Sequence, residues 1–308
     1  MRKLLYEVTH TTTYDYVGEV SVSHHLLRLT PCRYAKQECL EHDLTVVPTP
    51  ATLTEHRDYF GNSTHYASLE TAHRQLVLRS HAKVAVSPSF IPEASETPAW
   101  EAVRARCRDD RAGQSLEAHE FIYPSPLVPV ADEFADYARP SFTRGRPVLD
   151  AVTDLTRRIN EDFTFDPTAS TVSTPMAEVF RSRRGVCQDF AHVQLACLRS
   201  HGLPACYVSG YLETDPAPGQ PKLRGADASH AWVSFFCHGL GWLDVDATNN
   251  CLPSLRHITL ARGRDYSDVC PIRGVLVGGQ NQRLTVSVDV NAVGPWEGEE
   301  QEKTSAEP

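Results

Sequence analysis

The sequence has no Lys/Arg-rich stretch, and its 30 Lys and Arg are outnumbered by 39 Asp and Glu. That argues against nucleic acid as the main partner, because affinity for a phosphate backbone rests on clustered positive charge. It argues equally against an anionic membrane surface. No apolar run approaches the roughly 20 residues that a spanning helix needs. The opening MRKLLYEVTHTTTYDY is basic at first, then alternates without an apolar signal core. No secretory peptide is expected, and the compartment read from this is the cytoplasm. Nine cysteines (Cys32, Cys39, Cys107, Cys187, Cys197, Cys206, Cys237, Cys251 and Cys270) are irregularly spaced, with no CxxC pair. Such a set is neither a disulfide framework nor a structural zinc site. There is no EF-hand-like acidic loop for calcium, no internal repeat, and no motif that calls for a cofactor.

What is present suffices for two domains: 308 residues, 41% of them hydrophobic. The formal net charge is -9, and residues 297–308, with five Glu and one Lys, account for -4 of it. Residues 4–16 alternate with period two, and strand-like runs recur at 40–47, 51–60, 63–69 and 76–86. Gly61-Asn62 lies between two of these runs as a hairpin turn. Residues 1–90 therefore read as an N-terminal all-β, sandwich-like module, its scattered histidines as surface residues. Residues 91–147, rich in proline, read as a linker and helical segment. From 148 to 291 helices come first and strands follow. Helical periodicity covers 148–160, Thr174-Pro175 opens a short helix, and 187–200 is apolar on most sides, as a buried helix is. Gly202 stands where a helix C-cap belongs. Strands are expected at 205–212, 230–236, 242–247 and 282–290, and 292–308 as a disordered acidic tail.

Cys187, in RRGVCQDFAH, opens the buried helix. A helix N-terminus favours negative charge because its first amides point outward unpaired, so a thiolate is stabilised there. Asp189 can serve the same amides. Cys197, mid-helix among apolar neighbours, reads as core. A nucleophilic Cys needs a base, and the base an orienting group. His230 opens one strand, and Asp244 and Asp246 share a face of the next. The Gly239-Leu240-Gly241 turn pairs these strands as a hairpin and sets a carboxylate beside the imidazole, where it can fix the tautomer. A metal site from Cys187, His192 and His230 is disfavoured, since His192 is five residues along the helix and points elsewhere. Asp265, Tyr266 and Asp268 can line a cleft or form a polar turn.

GVCQDFAH, SHAWVSFF and GWLDVDATNN resemble the three active-site motifs of the transglutaminase-like superfamily, in particular its bacterial cysteine protease homologues. The stretches FTFDPTASTVSTPMAEVFRSRRG, CLRSHGLPACYVSGYL and GRDYSDVCPIRGVLVGG are similar to the same family's, and YEVTHTTTYDY with DYFGN resembles the β module that precedes its core. The resemblance implies an α+β fold with a papain-like core, in which the helix carrying Cys packs on an antiparallel sheet. It implies Cys187 as nucleophile, His230 as general base and Asp246, preferred over Asp244, as orienting group. Phe165 stands where the family often has Tyr, so the oxyanion would rest on the Cys187 backbone N–H and a further donor, for which Gln188 is a candidate. The chemistry implied is acyl transfer from a peptide or amide through a thioester. Hydrolysis is favoured, with an amine-accepting transglutaminase as the alternative. The alternative from another class is a catalytically silent interaction module. The partner implied is a protein or peptide substrate, with no metal or cofactor.

Overall fold

The computed structural model describes residues 2–109, 116–215, 225 and 227–296. Alternation near the N-terminus builds a single 25-residue strand, β1 (Lys3–Leu27), and the N-terminal module is organised around it. The strands β2 (Gln37–Val47), β3 (Thr52–Arg57), β4 (Ser63–Leu69) and β5 (His73–Val86) follow. One edge of β1 pairs first with β5 and then with β4, while β2 and β3 extend the sheet outside them. Register shifts between Asp15 and Val20 and between Val20 and Val22 interrupt the ladders, as bulges do where a strand bends. The two halves close on Tyr16, Val20, Leu27, Val46, Leu69 and Leu76. The sandwich-like module is thus one sheet packed on itself. Asp58 Oδ1 accepts from the amides of Phe60 and Asn62, and Gly61 at φ 80° completes the predicted turn. His25, His65 and His73, read from sequence as surface residues, are buried.

The helices α1 (Trp100–Arg108), α2 (Leu116–His119), α3 (Asp132–Ala138) and α4 (Val148–Asp162) lead into the core. The two-residue strands β6 (Thr164–Phe165) and β7 (Arg184–Gly185) pair around α5 (Met176–Ser182). Next comes α6 (Cys187–Ser200), then β8 (Ala205–Leu212), β9 (Ala228–Cys237), β10 (Gly241–Val245) and β11 (His257–Gly263). These four strands form a sheet in the order β10-β9-β8-β11. Its odd-numbered side chains, Ala205, Tyr207, Val233 and Phe235, share a core with Phe190, Leu195 and Leu198 of α6. Gly202, at φ 73°, ends the helix as its position predicts. No helix among the described residues is long and apolar enough to cross a membrane.

After α7 (Tyr266–Val269) the chain returns to the first sheet. β12 (Ile272–Gly278) and β13 (Gln282–Trp296) pair along the second edge of β1. The strand expected at 282–290 therefore belongs to the N-terminal sheet, and β12 has no counterpart in the sequence reading. Periodicity shows that a strand exists but not which strand it pairs with. Residues 292–296, read as part of the tail, are strand, with Trp296 opposite Lys3; residues 297–308 lie outside the described residues.

The module packs on the core sheet through Tyr6, Val8, Val84, Tyr211, Ile258 and Val290. Two side-chain amides also stand in for a neighbouring strand along β11. Gln37 accepts from Thr259 N and donates to Thr259 O, both at 2.8 Å, and Asn62 does the same with Arg262. Both residues are almost fully buried, and the edge of β11 is covered by them. Because Val290 is fully buried in this interface, Val290→Ala is expected to cost about 1–3 kcal/mol in urea unfolding. Val275→Ala, on the exposed face of β12, is expected to stay within about 0.5 kcal/mol; equal losses would contradict this docking.

Candidate active site

Cys187 is the first residue of α6, placed there by the turn before it. Asp189 Oδ2 accepts the amide of Val186 at 2.8 Å and the hydroxyl of Ser170. A side chain at position 185 would collide with that carboxylate, so glycine is required. Asp189 thus closes the turn into the helix, as the sequence suggests. Cys187 remains half-buried, whereas Cys197 is fully buried and its thiol is pushed up by burial.

His230 and Asp246 come together as the hairpin predicts. β9 and β10 pair with Asp244 opposite Ser234 and Val245 opposite Val233, and Asp246 follows directly. His230 Nε2 donates to Asp246 Oδ2 at 2.7 Å. Cys187 lines the same cleft as this imidazole and is near enough to bear on its charge. Burial alone would lower the His230 pKa, but the bond to Asp246 and the neighbouring Cys187 outweigh it and raise the value to about 10. Burial would raise Asp246, but the bonds from His230 and His257 hold its carboxyl well below the usual range. Asp244 is turned elsewhere, with Arg262 its nearest cation at 3.9 Å.

Two further residues join Asp246 that sequence reasoning did not assign. Asn249 Nδ2 donates to Asp246 Oδ2 at 2.7 Å and lies 3.2 Å from His230 Nε2. His257, the first residue of β11, donates from Nε2 to the same oxygen at 3.1 Å. The amides of Thr248 and Asn249 bond Oδ1. Asn249 lies within GWLDVDATNN, a motif in which the sequence assigns it no role. No strand is expected from sequence at 257–263, and the approach of His257 depends on β11 lying beside β8. Trp232 packs against both imidazoles, 6.1 Å from His230 and edge-on to His257 at 5.1 Å, and the imidazoles themselves lie 5.9 Å apart. Its indole fits because position 210 carries no side chain; any Cβ there would meet the ring.

The ligand atoms of His230, Asp246 and His257 lie within 4.8 Å of one another, the geometry of a possible metal cluster. Both imidazoles already bond the carboxylate oxygen between them, which engages that oxygen in hydrogen bonds. His192 takes no part. Its Nε2 accepts from the amide of Tyr266, and burial lowers its pKa to about 4. Asp265 caps α7 and accepts from Ser267 N and Leu127 N, while Asp268 pairs with Arg264. Of the three residues read as cleft or turn, only Tyr266 lines the cleft.

That cleft, of about 270 Å3, lies between core and module. Cys187, Gln188 and His230 form one wall, and His10, Thr12 and Tyr14 of β1 with Leu284 and Val286 of β13 form another. His10 Nδ1 and the Tyr211 hydroxyl lie 2.7 Å apart, and burial lowers the His10 pKa to about 4. Past Gln188 a second cavity of about 300 Å3 opens between residues 125–129 and 172–177. Phe165 lines neither and is half exposed.

These imidazoles set the acid response. His10 and His192 titrate near 4 when folded and near 6.5 when unfolded. Between those values the unfolded chain binds more protons, so their contribution to stability falls as pH drops. His230, with its raised value, acts oppositely: its contribution is complete below about 6.5 and is lost as pH rises through about 10. Burial also lowers His25 to about 4 and shifts His42, His65 and His201 in the same direction, so the depressed groups outnumber His230 and the urea midpoint is expected to be lower at pH 5 than at pH 7. His10→Gln should reduce that difference, and a midpoint that rises toward pH 5 would contradict the assignment.

Comparison with known proteins identifies the family and the fold. Residues 6–85 match the family model of the bacterial transglutaminase-like N-terminal region, and residues 135–247 that of the transglutaminase-like superfamily. An uncharacterized protein of Mycobacterium tuberculosis is 41% identical over 303 residues, covering 96% of this chain and 94% of its own. A protein-glutamine gamma-glutamyltransferase of Pseudomonas aeruginosa is 32% identical over 130 residues, 41% of this chain and 19% of its own length. A crystal structure of a candidate cysteine protease from Cytophaga hutchinsonii shares the fold, with a TM-score of 0.76 at 21% identity, covering 95% of this chain and 92% of its own. On these matches the chain belongs to the transglutaminase-like superfamily, a family of cysteine-type enzymes.

Proposed function

We propose that the protein is a cysteine-dependent acyl-transfer enzyme that hydrolyses peptide or amide bonds through a thioester on Cys187. The observation that carries this reading is His230, bonded to the buried Asp246 and lining the same cleft as Cys187. In this mechanism the Cys187 sulfur attacks the carbonyl carbon while its proton passes to His230. The oxyanion forms at the N-terminus of α6, whose first amides have no partner within the helix. The C–N bond then breaks, the amine leaves with the proton from His230, and the acyl group remains on sulfur. Water attacks the thioester, His230 takes its proton, and the carboxylic acid leaves as the thiol is restored. Asp246 holds the imidazole in the tautomer that these transfers need.

The lining of the cleft favours water over an amine. Among the described residues that line it there is no Asp or Glu to hold a lysine ammonium as acceptor. The second cavity beyond Gln188 gives an extended peptide room on both sides of the reacting carbonyl. The substrate proposed is therefore a protein or peptide, and the compartment the cytoplasm, where thiols stay reduced.

Intact-mass labelling with a peptide-derived electrophile tests the reading. Cys187 should react faster than Cys270, which lines the same cleft, and His230→Ala should abolish the difference. Labelling that does not depend on His230 would favour a catalytically silent module. With a peptide amide as donor, release of free acid in the presence of excess amine supports hydrolysis; predominant amide exchange would make the protein a transglutaminase. Asp246→Asn should lower turnover by on the order of 10²–10⁴-fold and Asp244→Asn should have little effect; the reverse would move the orienting role to Asp244.

A further inference from the structure

We propose that His257 is a positioning residue of this site: its Nε2–H pins the Asp246 oxygen that bonds His230, so that the carboxylate cannot turn from the imidazole. The inference rests on the reading of Cys187 and His230 as the reacting pair, and extends it to the opposite edge of the sheet.

The hydrogen bonds leave His257 one polar role. A carboxylate only accepts, so His257 Nε2 carries the proton in the 3.1 Å bond to Asp246 Oδ2. Its Nδ1 is buried without a hydrogen-bond partner. An imidazole kept only to fill the core would leave a polar atom unsatisfied for no return, where an apolar side chain would pack at lower cost. The ring is also fixed in direction, edge-on to Trp232 at 81°. The placement is specific as well: Asp246 follows β10, His257 opens β11, and these are the two outer strands of the sheet. Their side chains meet at the oxygen that His230 uses, although two strands separate them. The remaining bonds to Asp246 come from Thr248 and Asn249, two and three residues along the chain. They can move with the carboxylate. His257 is the donor that ties it to a different strand.

The test reads the titration of His230 by NMR of 13Cε1-labelled histidine, assigned through His230→Ala. Alongside it, the rate of Cys187 alkylation by iodoacetamide is followed by intact mass. His257→Leu removes the donor, and His257→Gln keeps an N–H at the position of Nε2. In the Leu variant the His230 titration should move down toward the ordinary imidazole value, by about one unit or more. Alkylation should slow by about tenfold, the change that matches loss of one hydrogen bond to a charged group. In the Gln variant both should return close to wild type. If the Leu variant does not fold, His257→Met takes its place. An unchanged His230 titration overturns the proposal. So does an upward shift, which would mean that His257 only divides the charge of Asp246, and so does a Gln variant as impaired as Leu, which would leave the ring to packing alone. If the wild-type Cys187 shows no His230-dependent reactivity, the enzymatic reading itself fails, a result separate from these because the difference in His230 titration between wild type and the His257 variants can be read whether or not the thiol reacts.

Discussion

A carboxylate with no exposed surface governs the site. Asp246 is fully buried, and a charge in that position persists only if donors surround it. Two imidazoles, one side-chain amide and two backbone amides do so. Those donors come from β9, from β11 and from the loop after β10, so the carboxylate fixes three segments relative to one another. Around this group the packing is specific. Trp232 packs against both His230 and His257, and the missing side chain at Gly210 admits its indole. On the same wall of the cleft, the turn into α6 is closed by a second carboxylate, Asp189, which fixes where Cys187 begins its helix. Cys187 and His230 thus sit on separate elements, each located by a buried acidic group.

The N-terminal module is continuous with this arrangement. Its strands β1 and β13 form one wall of the cleft, and Tyr211 of the core sheet meets His10 of the module. Gln37 and Asn62 hold the outer edge of β11, the strand that His257 opens. A change in how the module docks therefore reaches Asp246 through that strand, without any residue of the module touching the carboxylate.

Much of this was legible in sequence, for reasons tied to particular residues. The buried helix, its Gly202 cap and the Gly239-Leu240-Gly241 hairpin are local, and local signals survive in sequence. They were enough to bring His230 and Asp246 together and to separate Cys187 from Cys197. What was missed is non-local. The pairing of β12 and β13 with β1 spans nearly the whole chain. The meeting of His257 with Asp246 depends on the order of four strands, and the cleft wall on how one sheet packs against another. The burial of His25, His65 and His73 has the same origin: scattered histidines look like surface until the sheet bends over them.

The central position of β1 also has a consequence for synthesis. β1, the first strand of the described residues, has both edges occupied in the finished fold, one of them by the last two described strands. Until β12 and β13 leave the ribosome, that edge presents a long row of unpaired amides and carbonyls, open to association with another chain. The module that comes first in sequence is thus completed last. Closing it requires contacts of the highest sequence separation in the molecule, a slow step by the topology of the chain. The cleft acquires its second wall in the same event, so an incompletely synthesised chain would carry Cys187 and His230 without the enclosure in which they face a substrate.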